Sequence, residues 1–317
     1  METLVCVTHP TEEGLLVYAA SQYIDSVHRT VSRLLNLEQN RIDVFVRRIG
    51  GGYGYKISRA TQICGACSLV AFKLNRPCRF IQPLTHNMRA TEKRTPCTSN
   101  FETGVNMNGE IQYINHDLYD DNGYITNEPL VSLGIELYCN AYKSEVWNHK
   151  SYNTVTDTPS NSWVRSPGSL EHVAMAENIM ERIAYELNLD PLEVRLSNLD
   201  LVKHSSLQEM LETLKSESQY DDRKVAVEKF NSENRWKKRG LNYSFMRWSP
   251  EGPTMYFDVT LSVFRDDATV AITHGGVEMG QGINTKAIQI CAYFLKIPVE
   301  KVIIKPNDTM LNPNNFL

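Results

Sequence analysis

Two hydrophobic periodicities alternate in the first part of the chain. Apolar residues recur at helical spacing over residues 24–35 and at every second position over residues 42–46, which predicts a helix and then a strand. The strand leads into a glycine-rich stretch at residues 50–54, and a further helix is expected from about Ser58 to Leu74. The side chains expected on the buried face of that helix are Ile63, Cys67, Val70 and Leu74.

Residues 98–119 carry the pattern of a β-hairpin. Apolar and polar positions alternate up to Asn108 and again after Gly109. An Asn-Gly pair between two alternating runs is a strong hairpin signal, because both residues tolerate positive φ. We therefore expect two antiparallel strands here.

Helical periodicity returns after Arg165. Ser166 is expected to cap a long helix with Pro167 at its first position. Asp190 before a proline predicts a second capped helix, and Ser206 opens a third. The buried stripe of the long helix should contain Leu170, Val173, Met180, Ile183 and Leu187.

The second part of the chain repeats the succession of strand, glycine-rich loop and helix. Charge density rises over residues 216–240, so we place a boundary there between two domains, 1–225 and 226–317. Alternation over residues 257–263 and 269–273 predicts strands, and the stretch 274–282 precedes a helix and a strand at 301–305. Mixed strands and helices with an antiparallel hairpin favour an α+β fold with mixed sheets.

Composition excludes several classes of protein. The chain has 317 residues, a net charge of -4 and 42% hydrophobic residues, which suits a globular protein and argues against nucleic acid as the main partner. Apolar runs fall short of the ~18 residues of a membrane helix, and the N-terminus lacks the features of a signal peptide. The odd number of scattered cysteines, 7, is typical of reduced thiols in a cytoplasmic protein.

The two glycine-rich loops are candidates for anion binding. A glycine turn that feeds a helix exposes backbone N–H groups, which bind phosphate without a basic side chain. Residues 50–54 lack the spacing of a nucleotide fingerprint, but nucleotide binding stays open as an alternative. Cys64 and Cys67 are interpreted as core residues, and His274 as a structural hydrogen-bonding residue, since further metal ligands are not spaced around them.

Three motifs, in order along the chain, resemble the xanthine dehydrogenase/aldehyde oxidase family, most closely an aldehyde oxidase of the insect type. They are RRIGGGYGYK at residues 47–56, WVRSPG at 163–168 and THGGVEMGQG at 273–282. The stretches NAYK at 140–143 and RWKKRG at 235–240 also match. The resemblance implies the molybdopterin-binding fold of that family, truncated at both ends in this chain.

The resemblance also implies a molybdenum–pterin cofactor, whose dithiolene holds the metal, so that no protein ligand to the metal is expected. The family's cofactor contacts carry over to the matching positions of the glycine-rich loops and the arginine loop. These cofactor-binding residues are Gly51, Gly52, Tyr53, Gly54, Arg165, Met279, Gly280 and Gln281.

Three positions bear on the substrate. Where xanthine-type members carry a glutamate and an arginine, this chain has Ile57 and Leu133, and Pro167 replaces a substrate-stacking phenylalanine. Aliphatic side chains suit an apolar aldehyde or N-heterocycle, because polar purine groups buried against them would lose hydrogen bonds. This favours an aldehyde-oxidase type, with a xanthine-dehydrogenase type as the alternative.

The family's general-base glutamate, [2Fe–2S] clusters and FAD portion have no counterpart in this sequence. Intact members are homodimers that convert an aldehyde, water and O2 to a carboxylic acid and H2O2. We therefore expect a molybdopterin-binding portion of such a protein that is inactive alone. A degenerate, non-catalytic chain without cofactor is the other alternative.

Overall fold

The computed structural model describes residues 2–91, 93–129, 131–247, 258–312 and 314. In chain order the helices and strands are β1 Val5–Pro10, β2 Leu15–Ala19, α1 Ile24–Leu35, β3 Ile42–Val46, α2 Ala60–Leu74, β4 Cys78–Ile81, α3 Leu84–Ala90, β5 Cys97–Val105, β6 Ile111–Asp121, α4 Val131–Gly134, β7 Trp147–Thr154, α5 Ser169–Leu187, α6 Pro191–Asn198, α7 Ser206–Ser218, α8 Tyr220–Glu233, β8 Val259–Val263, β9 Val270–His274, α9 Ile283–Leu295, β10 Val302–Ile304 and β11 Asn307–Asp308.

The chain divides into two compact units. The first comprises Met1–Arg94, Ser162–Arg165 and Glu251–Leu317, and the second comprises Thr95–Asn161 and Ser166–Pro250. The second unit is therefore an insertion into the first, apart from the short return at residues 162–165. Each unit has its own core.

The first unit is built around a five-stranded sheet in the order β11-β3-β2-β1-β4. Strands β2 and β3 are parallel, and the other neighbouring strands are antiparallel. Helix α1 packs on α2 and β3 through Ile24, Val27 and Val31, whose spacing places them on one face. The helix ends at Asn36 in the left-handed conformation, where asparagine is well tolerated.

A smaller sheet in the first unit has the order β10-β9-β8. Its central strand β9 is buried throughout, and Val270 and Ile272 share a core with Ala292 of α9. Strand β8 is exposed along its whole length, including Val259 and Leu261.

The second unit contains the sheet β5-β6-β7, with β6 antiparallel to β5 and parallel to β7. Helix α5 contributes Ile179, Met180 and Ile183 to its core. Next to that core, buried Arg195 donates hydrogen bonds of 2.7 Å to Glu177 and of 2.7 Å to Glu181. This network links α5 to α6.

The α+β class with mixed sheets is confirmed. The Asn-Gly hairpin, the helix over 24–35 and the capped helix after Asp190 are also confirmed, and Asp190 accepts a hydrogen bond from the amide of Leu192. The predicted core positions of Cys64 and Cys67 are confirmed as well, since both thiols are about 1% exposed. Phe257, predicted to begin a strand, lies outside the described residues.

Other expectations are wrong in detail. Helix α5 begins at Ser169, after Gly168, so Ser166 is not its cap and Pro167 is not its first residue. The reason is that Ser166 itself has a positive φ of 60°, which turns the chain before the helix begins. Helix α2 starts at Ala60, and Val70 and Leu74 are exposed instead of buried.

Candidate functional site

The first glycine-rich loop follows β3 and adopts backbone conformations that favour glycine. Gly51 and Gly54 have φ values of 90° and 86°. A Cβ on Gly54 would lie 2.9 Å from the carbonyl oxygen of Trp163, and a Cβ on Gly52 would lie 2.4 Å from Cδ of Gln22. Glycine at these two positions therefore leaves the room that Trp163 and Gln22 need beside the loop.

Three amide groups of this loop remain open. The amide of Gly54 donates to Oε1 of Gln22 at 2.9 Å, and the amide of Gly50 donates to Oε2 of Glu2 at 2.8 Å. Between them, the amides of Gly51, Gly52 and Tyr53 have no acceptor among the residues that the structure describes. Adjacent unpaired N–H groups are a means of binding an anion.

The lysine of the loop is turned into the protein. The side chain of Lys56 is 0% exposed, and its Nζ donates to Oε2 of Glu2 at 3.0 Å. Burial lowers the pKa of Lys56, although Glu2 opposes that effect by favouring the charged form. Lys56 thus holds the carboxylate of Glu2, and the same carboxylate oxygen accepts from the amide of Gly50 in the loop.

The arginine loop lies directly beside the first glycine-rich loop. The amide of Arg165 donates to the carbonyl oxygen of Tyr53 at 2.8 Å, and Arg94 donates to the carbonyl oxygen of Arg165 at 2.6 Å. The side chains of Tyr53 and Arg165 are exposed. Both residues have positive φ, 57° and 29°, so the chain is held in an unusual conformation on each side of the contact.

The second glycine-rich loop joins the same group. The amide of Ile49 donates to the carbonyl oxygen of Glu278 at 2.8 Å. Val277 is part of the first unit's core, and Met279 packs against that core. Main-chain hydrogen bonds therefore join the start of the first glycine-rich loop to the second loop, and Tyr53 to Arg165.

Several amides of the second loop have acceptors within the loop itself. The carboxylate of Glu278 accepts hydrogen bonds from Gly280 at 2.8 Å, Gly282 at 3.2 Å and Asn284 at 3.1 Å. Partial burial opposes ionisation, but these three amides, aided by Arg48, hold the pKa of Glu278 below its ordinary value.

The side chain of Gln281 is also engaged by its own loop. Its Oε1 accepts from the amide of Met279 at 2.8 Å, and its Nε2 donates to the carbonyl oxygen of Val277 at 2.8 Å. A Cβ on Gly280 or Gly282 would meet nothing within 4 Å, so one side of the loop is open. Its glycines offer space, whereas the first loop offers amide donors.

Three residues that organise these loops had no signal in the sequence. Gln22 and Glu2 each accept an amide of the first loop. The buried Asn314 donates to the carbonyl oxygens of Gln22 at 3.1 Å and Gly275 at 2.8 Å. These polar residues lie outside any periodic run of the sequence, so only their contacts in the structure show what they do. His274 behaves as predicted, since it accepts from the amide of Gly276 at 3.2 Å.

The three candidate substrate residues occupy both units. Ile57 of the first unit is 5% exposed, and its amide donates to the carbonyl oxygen of Gly54 at 2.9 Å. In the second unit, Leu133 lies in α4 and Pro167 lies just before α5.

The sequence matches models of a known domain family. Models of the molybdopterin cofactor-binding domain match residues 1–199 and residues 213–316. The chain belongs to the molybdopterin cofactor-binding domain family. Within the described ranges, this family member has no helix that is long and apolar enough to cross a membrane.

Proteins similar to this chain include an aldehyde oxidase and a xanthine dehydrogenase. The chain is 31% identical over 314 residues to aldehyde oxidase 3 of Rattus norvegicus and 30% identical over 314 residues to xanthine dehydrogenase of Dictyostelium discoideum. Each comparison covers 95% of this chain but 24% and 23% of those proteins, so the chain spans about a quarter of their length. These similarities support membership of the molybdenum hydroxylases.

The fold agrees with this assignment. A crystal structure of the Cu,Mo-CO dehydrogenase aligns with a TM-score of 0.82 over 100% of this chain and 44% of that chain, at 18% identity. At this identity the likeness shows the fold alone.

The loops fit the molybdenum–pterin cofactor of this family. The cofactor presents a phosphate and a flat, polar ring system. Open amides at Gly51, Gly52 and Tyr53 suit the anionic part, and the open side of Gly280 and Gly282 leaves room for a flat group. The first loop thus offers unpaired amide donors to an anion.

Proposed function

We propose that this chain binds the molybdenum–pterin cofactor as part of an aldehyde-oxidase-like molybdenum hydroxylase. The observation that carries the proposal is the row of open amides at residues 51–53, held next to Arg165 by the hydrogen bond from its amide to Tyr53. When bound, the cofactor would supply two-electron redox chemistry. The proposal keeps two molybdopterin-binding domains, 1–225 and 226–317, and it is supported by two separate family matches.

The residues of this chain bind and orient in that proposal. Amides of Gly51, Gly52 and Tyr53 hold the anionic part of the cofactor, while Gly54 keeps the loop close to the arginine loop. The exposed Arg165 offers a guanidinium to negative charge. Met279, Gly280 and Gln281 line the ring system, with Gln281 fixing the shape of the loop.

The substrate we propose is an apolar aldehyde or an N-heterocycle. Support comes from Ile57, Leu133 and Pro167, which offer no charge or hydrogen-bonding side chain to a purine. In the intact protein an aldehyde, water and O2 would give a carboxylic acid and H2O2. We propose a cytoplasmic homodimer for that intact protein, with iron–sulfur clusters and FAD outside this chain.

We expect this chain to show no aldehyde oxidation alone, because the general-base glutamate and the electron carriers of the family have no counterpart in its sequence. Turnover of benzaldehyde by the purified chain would contradict this expectation. The alternative of a chain without cofactor draws on the second loop, whose amides are occupied by Glu278.

Cofactor content tests the proposal directly. The full chain is produced in a bacterial host that makes the cofactor, and molybdenum is measured by mass spectrometry and pterin by fluorescence after oxidation. We expect near-stoichiometric amounts of both. Gly52→Val should abolish them, because its side chain would collide with Gln22, whereas Gly240→Val, in open space, should not. A wild-type chain with no molybdenum or pterin would support the cofactor-free alternative.

A further inference from the structure

A continuous line of polar side chains runs through the second unit. Oγ of Ser99 lies 2.5 Å from Nε2 of His116, and Nδ1 of His116 lies 2.9 Å from Nδ1 of His149. Nε2 of His149 lies 2.8 Å from Oγ of Ser151. We call these four residues, together with His172, the histidine chain.

The histidine chain ends on the main chain in front of α5. Oγ of Ser151 lies 3.0 Å from Nε2 of His172. Nδ1 of His172 then lies 2.6 Å from the carbonyl oxygen of Gly168. Gly168 is the residue that precedes the first turn of α5, and its φ is 74°.

The imidazoles of His116 and His172 are buried and that of His149 is half-buried, which favours the neutral form of each ring. His116 and His172 are 2% and 0% exposed, and His149 stacks on Tyr138 with ring centroids 3.7 Å apart. Burial lowers the pKa of His116 to about 4 and that of His149 to about 3, and it lowers the pKa of His172. A neutral imidazole has one donor and one acceptor nitrogen.

The carbonyl of Gly168 fixes the proton on His172. A carbonyl oxygen can only accept, so His172 carries its proton on Nδ1 and its Nε2 is an acceptor. The hydroxyl of Ser151 must then donate to His172 and accept from Nε2–H of His149.

The same logic extends to the far end of the histidine chain. Nδ1 of His149 is left as an acceptor, so His116 carries its proton on Nδ1. Nε2 of His116 then accepts from the hydroxyl of Ser99. One carbonyl therefore fixes the direction of every hydrogen bond in the series.

His172 also fills the space between two segments of the second unit. A Cβ on Gly134 would lie 2.1 Å from Nδ1 of His172 and 2.7 Å from the carbonyl oxygen of Gly168. Gly134 follows Leu133, and Gly168 follows Pro167. Leu133 is thus next to a glycine that lies against the imidazole of His172. Pro167 is next to a glycine whose carbonyl oxygen is hydrogen-bonded to that imidazole.

We propose that His172 is a positioning residue that sets the separation of the segments carrying Leu133 and Pro167, with its orientation fixed by the histidine chain. The substrate role of these segments rests on the proposed function. The geometry of the histidine chain does not depend on a cofactor, so it can be tested without one.

Nuclear magnetic resonance of the full chain, with isotope-labelled histidine, reads the position of each proton. We expect protons on Nδ1 of His172, Nε2 of His149 and Nδ1 of His116. Ser151→Ala should move the proton of His149 or populate both tautomers, and should shift the amide resonances of Gly134 and Gly168. Ser68→Ala, a fully buried serine of the first unit that bonds Thr8, is the matched control and should leave these signals unchanged.

Replacement of His172 separates positioning from packing. His172→Gln can still donate to the Gly168 carbonyl and accept from Ser151, so it should keep the amide resonance of Ser169 near its wild-type position. His172→Leu should not. Other tautomers in the wild type, or a Ser151→Ala effect that does not reach Gly134 and Gly168, would overturn the proposal. Neither result depends on cofactor content, which tests the proposed function separately.

Discussion

The amide of Ile49 donates a hydrogen bond of 2.8 Å to the carbonyl oxygen of Glu278, although one residue follows the third strand and the other precedes the last long helix. This main-chain contact joins the two glycine-rich loops independently of their side chains. The Glu278 side chain, in turn, holds the amides of its own loop. Stability of the site can therefore be tested separately in each loop.

Glu278→Gln should destabilise the second loop. The amide side chain has one acceptor oxygen where the carboxylate has two, and it loses the charge that strengthens bonds from Gly280, Gly282 and Asn284. We expect a loss of about 1–2 kcal/mol in the free energy of unfolding, measured by urea denaturation. The exposed Glu300→Gln is the control; equal effects of both changes would contradict the role of Glu278.

Gly54→Ala should destabilise the first loop. Its φ of 86° disfavours any other residue, and the added Cβ would lie 2.9 Å from the carbonyl oxygen of Trp163. We expect a loss of about 1–3 kcal/mol, seen as a lower melting temperature. Gly240→Ala, with nothing within 4 Å of its Cβ, should leave the melting temperature unchanged or raise it slightly. A neutral Gly54→Ala would mean that the loop relaxes freely.

Arg195→Met should be among the costliest single changes. Arg195 is 2% exposed, and its removal leaves the buried Glu177 without its cation. We expect a loss of about 3–5 kcal/mol in the free energy of unfolding. The double variant Arg195→Met with Glu177→Gln removes both charges and keeps an amide oxygen that can accept from Asn140 and Tyr142, so it should be more stable than the single variant. If the double variant is the less stable of the two, the ion pair is not the cause.

Acid should weaken the second unit through its histidines. The pKa of His116 is lowered to about 4 in the folded state, while the unfolded value is near 6.5. As pH falls below 6.5 the unfolded state takes up protons and the folded state does not, so stability present above pH 6.5 is lost toward pH 4. Each such histidine contributes up to about 1.4 kcal/mol per pH unit. Urea denaturation at several pH values between 7 and 4 measures the slope.

Neighbouring carboxyl groups modify that slope. Asp117 favours the charged form of His116, and Glu171 favours that of His172. Burial raises the pKa of Asp120 to about 6, so this residue acts in the opposite direction as pH falls from about 6 toward 3.8. His149→Gln should reduce the slope, and the exposed His86→Gln should not. An unchanged slope in His149→Gln would show that the ring takes up its proton as readily in the folded protein as in the unfolded chain.

Sequence patterns predicted the elements whose signals are local. The Asn-Gly pair at Asn108 produced its hairpin, and the apolar spacing of Ile24, Val27 and Val31 produced its helix. The glycine-rich loops were also identified as neighbours of helices. Each of these features is determined by residues that are close in sequence.

Features determined by distant contacts were missed. Strands β1 and β2 went unrecognised, because their pairing with each other and with β3 and β4 defines them. The acceptors Gln22 and Glu2 fix the first loop from outside its motif. Ser166 was expected to cap α5, but the positive φ of Arg165 and Ser166 redirects the chain there.

The placement of β11 at the edge of the five-stranded sheet has a consequence for biosynthesis. β11 pairs with β3, and the carbonyl oxygen of Glu278 accepts from the amide of Ile49. Residues synthesised early therefore pair with residues that are synthesised much later. The residues of the second unit, up to Pro250, are all synthesised before those partners. Until Asp308 has been synthesised, one edge of β3 has no partner strand. An unpaired strand edge exposes a nascent chain to aggregation and to binding by chaperones.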